Sequence, residues 1–256
     1  VARAIGRSEA KKLEIEPWNL LADQRAAEID SGVDISFRHV LGPTIELILK
    51  SGGVGANRLI DIGCGTGRLL PYLAGASHDI TAIDPSTRSI ELTRKFSTTT
   101  GVRAHASADT IQSFATTHDQ KFDVAIANMV LMDVVDLDDF LRHARKILRR
   151  GALFIATITH PYFWPAYWGY DTEPWFDYRE ETFIRSRFKT SLRTSSIDTL
   201  HVHRPVSQYF SRITEQGFAI KSVLEPVLPE RIQRETGVTW KTPHFLAFTA
   251  QAEPYR

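Results

Sequence analysis

Seven consecutive residues, Asp61-Ile62-Gly63-Cys64-Gly65-Thr66-Gly67, hold the densest chemistry in the chain. Glycines at alternate positions let a backbone turn tightly and let a ligand approach main-chain N–H groups with no Cβ in the way. Dinucleotide sites use a similar turn, with the spacing G-x-G-x-x-G. Here the spacing is G-x-G-x-G, and Asp61 stands two residues before it. A carboxylate at that place attracts a ligand ammonium and repels a pyrophosphate. Asp84, about twenty residues further on, lies where an acidic side chain can accept hydrogen bonds from both hydroxyls of an adenosine ribose.

These residues need strand ends to position them, and the hydrophobic pattern supplies such ends. Apolar residues recur at helical spacing from Phe37 to Lys50, and Gly52-Gly53 stops that pattern. Strands are expected at Arg58 to Ile62, Asp79 to Ile83, Val102 to Ala106, Phe122 to Ala127 and Ala152 to Thr159. The fourth is a nearly continuous apolar run, as a strand buried on both faces requires. Helical patterns lie between them: one starts near Leu69, one is capped by Ser86, and one spans Leu137 to Leu148. Five strand–helix alternations imply an α/β fold, a parallel sheet with helices on both faces, whose ligands sit at the strands' carboxyl ends.

The alternation stops after Thr159. Residues 160–204 are rich in Trp, Tyr, Phe and Pro and show no helical period. A helix over Pro205 to Gln216 and strands over Phe218 to Leu224 and Phe245 to Gln251 follow. The aromatic stretch is therefore expected to be a cap over the site, too short to bury a core of its own. The expected organisation is one domain: a helical segment (1–57), a core (58–159), the cap (160–204) and a completion of the sheet (205–256).

Composition narrows the function classes. A net charge of +1 provides no field for nucleic acid, and no apolar run is long enough to span a bilayer. A single cysteine, Cys64, excludes a disulfide framework and a thiolate metal cluster. The amino end lacks the apolar stretch of a signal peptide, so a cytoplasmic protein is expected. Asp133, Asp136, Asp138 and Asp139 precede a helix and suit capping and the helix dipole better than a metal.

The runs D-I-G-C-G-T-G, I-D-P-S, F-D-V-A-I-A-N-M-V-L-M-D and H-A-R-K-I-L-R-R-G-A-L-F-I-A-T-I-T-H-P-Y-F resemble the class I S-adenosylmethionine-dependent methyltransferases. So do V-H-R-P-V-S-Q-Y-F and G-F-A-I-K-S-V-L-E-P, and the narrower resemblance is to the type 11 methyltransferase-domain group. The resemblance covers residues from Arg58 onward, apart from the middle of the aromatic stretch. It implies a Rossmann-like fold with a seven-stranded, mostly parallel sheet and an aromatic cap insertion after strand five. It also implies S-adenosylmethionine as cofactor, S-adenosylhomocysteine as product, and no metal.

Carried over by position, Asp61, Gly63 and Gly65 would hold the methionine end of the cofactor and Asp84 the ribose, with Pro85 beside it. Asn128 would offer its carbonyl to the ammonium. The family's adenine-binding Asp aligns with Ser107 in Ser107-Ala108-Asp109, so either Ser107 substitutes or Asp109 takes the contact, with Ala108 alongside. Cys64 occupies the loop and is expected to pack.

Methyl transfer is an in-line displacement in which the enzyme aligns the acceptor, excludes water and, for a hydroxyl acceptor, removes a proton. His160 directly follows the fifth strand and is the expected general base, the alternative being a turn residue that orients the cap. Tyr162, Trp164, Trp168, Trp175 and His203 are the expected acceptor contacts, suited to an apolar or planar small molecule. A protein that binds the cofactor without transferring methyl, and an RNA methyltransferase, are the alternatives.

Overall fold

The computed structural model describes residues 2–51, 58–190 and 192–254; Gly52-Gly53 lies outside them. The chain begins with β1 (Arg3–Ile5), α1 (Arg7–Lys12) and α2 (Glu16–Asp30). A π-helical turn over Phe37–Leu41 runs into α3 (Gly42–Ser51). Next come β2 (Leu59–Ile62), α4 (Leu70–Leu73), β3 (Ile80–Ile83), α5 (Thr87–Thr100), β4 (His105–Ser107) and α6 (Ile111–Thr117). β5 (Phe122–Asn128), a 3-10 turn at Leu131–Asp133, α7 (Leu137–Ile147) and β6 (Leu148–Thr159) follow. The remainder is α8 (Trp164–Trp168), β7 (Thr182–Lys189), β8 (Thr194–His203), α9 (Val206–Glu215), β9 (Phe218–Leu224), α10 (Glu230–Thr236) and β10 (Phe245–Ala252).

Seven strands form the main sheet in the order β4-β3-β2-β5-β6-β10-β9. The first five of that order pair in parallel, whereas β10 runs antiparallel to both neighbours. This is the seven-stranded, mostly parallel sheet expected. Strand order reverses between β2 and β5, so a crevice opens beyond their carboxyl ends. Alternation along the strands divides the core. Ile60, Ile62, Ala125 and Phe154 pack with α6, α7 and α9, while Leu59, Val124, Ile126 and Ile155 pack with α3 and α4.

Two expected strands differ at their starts. β4 begins at His105 rather than Val102, because Gly101 ends α5 in the left-handed region and the Ser97 hydroxyl holds the Val102 carbonyl at 2.6 Å. β6 begins at Leu148, since the chain stays extended through a bulge containing Gly151 and shifts register against β5.

The cap contains more regular structure than its sequence signals. Strands β7 and β8 form an antiparallel hairpin, and β1 adds a third strand on the outer side of β7. Ala10, Val135, Leu200 and Val202 pack beneath this small sheet with Ile5, Leu13 and Phe183. The N-terminal residues and the insertion thus share one cluster. Helix α2 is tied to the main sheet's helices: Ser86 donates to Asn19 at 2.7 Å, and ion pairs join Arg88 to Asp23 and Arg68 to Asp30. The carboxyl edge of the sheet is therefore roofed from both sides.

Candidate active site

The alternation of β2 puts Asp61 on the same face as Leu59, inside a central strand. Asp61 is 1% exposed, and neither carboxylate oxygen has a hydrogen-bond partner among the described residues. Burial, and then the nearby charge of Asp84, push its pKa up to about 7. An unpartnered buried carboxylate is costly, and a ligand cation removes the cost. Next to it Gly63 has φ +73°, and a Cβ there would lie 2.5 Å from the Val130 side chain. Gly65, at φ +52°, has open space where its Cβ would be.

The loop N–H groups are used internally. Gly63 and Cys64 donate to the Ile83 carbonyl at 2.7 and 3.0 Å, and Gly65 donates to Asp84 Oδ2 at 2.9 Å. These three N–H groups are thus engaged within the protein, and what the two glycines provide is close approach. Asp84 also accepts from the Ser86 N–H at 2.8 Å through Oδ1, so each oxygen keeps accepting capacity for a further donor. Burial raises its pKa to about 6 against the lowering effect of those two N–H groups.

One cavity of about 590 Å³ spans these residues and the underside of the cap. Asp109 lines it with Thr110, Ile111 and Gln112. Ser107 lies outside that lining and has a buried hydroxyl without a partner. Its main-chain carbonyl accepts from the N–H groups of Asp84 and Asp109. Asn128 reaches the cavity, its Oδ1 held by the Thr157 hydroxyl at 2.7 Å. Met129 follows at φ +59°, an uncommon conformation for a side-chain-bearing residue and a frequent companion of functional sites.

At the cap end the cavity is lined by Trp164, Tyr167, Trp168, Phe245, His201 and His244. Burial, with a positive neighbour in each case, lowers His201 to about 3 and His244 to about 4, so both imidazoles are neutral at pH 7. Asp133 also lines the cavity, partly accessible, and its carboxylate accepts no hydrogen bond among the described residues. Burial raises it well above the carboxylate range. The turn that carries it is fixed by Arg204, fully buried, which donates to the carbonyls of Leu131 at 3.1 Å and Val134 at 2.7 Å.

The family model of a methyltransferase domain, of type 23, matches residues 24–207, most of the chain. The chain belongs to the methyltransferase-domain family. Its fold is that of the class I S-adenosylmethionine-dependent methyltransferases. An S-adenosylmethionine-dependent methyltransferase of Clostridium acetobutylicum superposes with a TM-score of 0.64 at 15% identity, covering 90% of this chain and 99% of that one. The 1,6-didemethyltoxoflavin-N1-methyltransferase of Burkholderia thailandensis gives 0.63 at 15% identity, covering 98% and 92%. Among curated proteins, a ubiquinone biosynthesis O-methyltransferase of Photorhabdus laumondii is 26% identical over 113 residues, 44% of this chain and 47% of that enzyme. The chain spans about half the length of the curated relatives it matches.

In this methyltransferase domain the expected cofactor residues Asp61, Gly63, Cys64, Gly65, Asp84, Pro85, Asp109 and Asn128 all line the one cavity, and Ala108 does not. Cys64 also packs in the core with Ala82 and Ile90, as expected. Of the expected acceptor contacts, Trp164 and Trp168 line the cavity; Tyr162, Trp175 and His203 do not. Tyr162 is exposed, Trp175 stacks on Tyr170, and His203 Nε2 is bound to the Tyr178 carbonyl at 3.0 Å.

His160 is also outside the lining, and both ring nitrogens are occupied. Nδ1 faces the Tyr162 N–H at 3.3 Å, and Nε2 faces Glu225 at 2.8 Å. These contacts tie the turn after β6 to itself and to the segment that follows β9. Sequence reasoning missed Trp18, Asp133, Lys189 and His244 as cavity residues. Asp133 had a signal, its place five residues past the end of β5, but its neighbours Asp136, Asp138 and Asp139 pointed to capping. Asp136 indeed caps α7, accepting from the Asp139 N–H at 3.1 Å.

Proposed function

We propose that this chain binds S-adenosylmethionine at the Asp61–Asp84–Asp109 end of the cavity and transfers its methyl group to a small acceptor beneath the aromatic cap, at oxygen, nitrogen or carbon. The observation that carries this reading is Asp61, a carboxylate buried without a partner beside a glycine turn. Its chemistry fits an amino-acid ammonium, and the remaining lone pairs of Asp84 fit a pair of ribose hydroxyls. When bound, S-adenosylmethionine supplies an electrophilic methyl carbon on a sulfonium. The chain's own residues do the rest. Gly63 and Gly65 let the ligand lie against the backbone, Asp109 faces the adenine end, and the tryptophans exclude water from the acceptor.

Asp133 is the residue placed to hold an acceptor proton. It lies on the cavity wall, its carboxylate accepts no hydrogen bond among the described residues, and burial raises its basicity above that of an ordinary carboxylate. Arg204 keeps the backbone around it fixed. Calorimetry with S-adenosylhomocysteine should show one site, lost or severely weakened in Asp61→Asn; no binding to folded wild-type protein would sink the reading. Turnover, scored as S-adenosylhomocysteine release across a metabolite panel, should fall roughly 10²–10⁴-fold in Asp133→Asn. His160→Ala should instead lower the melting temperature while slowing turnover by less than about tenfold. The opposite ranking would restore His160 as the base.

A further inference from the structure

Lys189 is a cation without a counterion on the wall of the cavity. It is half-buried near the end of β7, and no carboxylate lies within ion-pair distance among the described residues. Its ammonium donates to the Tyr167 carbonyl at 2.9 Å and sits 4.7 Å from the centre of the Tyr167 ring. The other cations of the lining are paired: Arg25 with Glu28 and Asp34, and Arg68 with Asp30. Removing an ammonium from water without an anion is costly, and here burial lowers its pKa.

Further donors share this wall. Thr190, the next residue, has a buried hydroxyl with no partner among the described residues, and the indole N–H groups of Trp164 and Trp168 are likewise unpartnered there. These residues are adjacent in space as well as in the lining. Trp164 packs on Tyr167 at 4.9 Å and on Trp168 at 5.5 Å, and Tyr167 carries the carbonyl that Lys189 holds. A wall of donors with a cation among them, set in indole and phenol rings, matches an anionic oxygen group carried on a planar apolar body.

We propose that the acceptor is a planar organic acid whose carboxylate is bound by Lys189 with help from Thr190. The acid group then sits at the cap wall, leaving another atom of the acceptor, a hydroxyl or amine, for methylation. This inference rests on the cofactor reading above and names the substrate class for the same cavity. Asp133 and Glu14 also line that cavity. Glu14 is engaged by the Val135 N–H at 2.7 Å, and neither carboxyl offers an acid a cation, which leaves the Lys189 wall as its seat.

The test is calorimetry on protein saturated with S-adenosylhomocysteine, titrated with 4-hydroxybenzoate and 2-aminobenzoate and with their neutral carboxamides. Each acid should bind about tenfold or more tightly than its carboxamide, the effect of one charge-assisted hydrogen bond. Lys189→Met should bring acid and carboxamide to within about twofold, as should be true of any site that has lost its charge selectivity, while Lys189→Arg retains the preference. S-adenosylhomocysteine affinity should be unchanged in both variants. The proposal falls if carboxamides bind as well as acids, if Lys189→Met keeps the preference, or if no acid binds while S-adenosylhomocysteine does. Failure of S-adenosylhomocysteine itself to bind would overturn the cofactor reading separately.

Discussion

Asp61 and Asp84 meet across the glycine turn, each in surroundings that favour its protonated form. Their ordinary value is 3.8, and the folded values are about 7 and about 6. The sign of the linkage follows. Both groups stabilise the ligand-free fold most below pH 4, and that contribution is lost as pH rises through the folded values. A cationic ligand reverses the preference, because an ammonium binds the ionised carboxylate. Affinity for S-adenosylhomocysteine should therefore weaken as pH falls below about 7, approaching tenfold per unit, with protons released on binding. Calorimetry in buffers of different ionisation enthalpy measures that release directly. In Asp61→Asn the residual binding should lose most of this pH dependence; an undiminished slope would place the titrating group elsewhere.

The strands that carry chemistry were legible in the sequence because each is a buried apolar run, β2 and β3 being closed by Gly63 and by Asp84-Pro85. β2, β3 and β5 lie within a residue or so of where apolar spacing puts them, and Ser86 caps α5 as its type suggests, accepting from Ser89 at 3.1 Å. The hairpin β7–β8 was not legible. Only Ile184 of β7 is fully buried, so its Thr-Phe-Ile-Arg-Ser-Arg-Phe-Lys sequence lacks a clean apolar face. Nor does β1 announce itself, three residues long and mostly exposed. These elements owe their form to partners far away in sequence, which local patterning cannot report.

Arg204 is the clearest such partner. It joins the end of β8 to the turn after β5 and pairs with Glu181 at 2.6 Å. Replacing it by Ala strips the Leu131 and Val134 carbonyls of their side-chain donor in the interior and leaves Glu181 with Arg212 alone, 3.0 Å away. We expect a loss of about 3–5 kcal/mol in chemical denaturation. A change below 1 kcal/mol would show that the turn is held by packing alone.

At the scale of the molecule, the end of the cavity proposed for the cofactor is built from the sheet and the end proposed for the acceptor from segments on either side of it in sequence. α2 supplies Trp18 and Arg25 to the lining, the insertion supplies Trp164, Trp168 and Lys189, and the C-terminal part supplies His244 and Phe245. The residues proposed for the cofactor follow one another as motifs at successive strand ends, whereas those proposed for the acceptor are gathered from three regions and had no common pattern. Ligand binding therefore bridges most of the fold. With S-adenosylhomocysteine at about a hundred times its dissociation constant, the melting temperature should rise by roughly 5–10 °C. A negligible rise despite calorimetric binding would mean that the unfolding unit does not include the cavity.

The pairing of Arg3 with Arg185 joins residues far apart in the sequence. During synthesis at roughly 5–20 residues per second, the first strand must wait ten seconds or more for its partner. The sheet around β2, β3 and β5 has no such delay, so the cofactor half can form first while residues 3–12 remain unpaired. Ribosome-stalled chains ending near Asp177 should accordingly be cut by protease within residues 3–12. Chains extended past His203 and clear of the exit tunnel should protect that segment. Equal cleavage at both lengths would show that the small sheet is not what shelters the amino end.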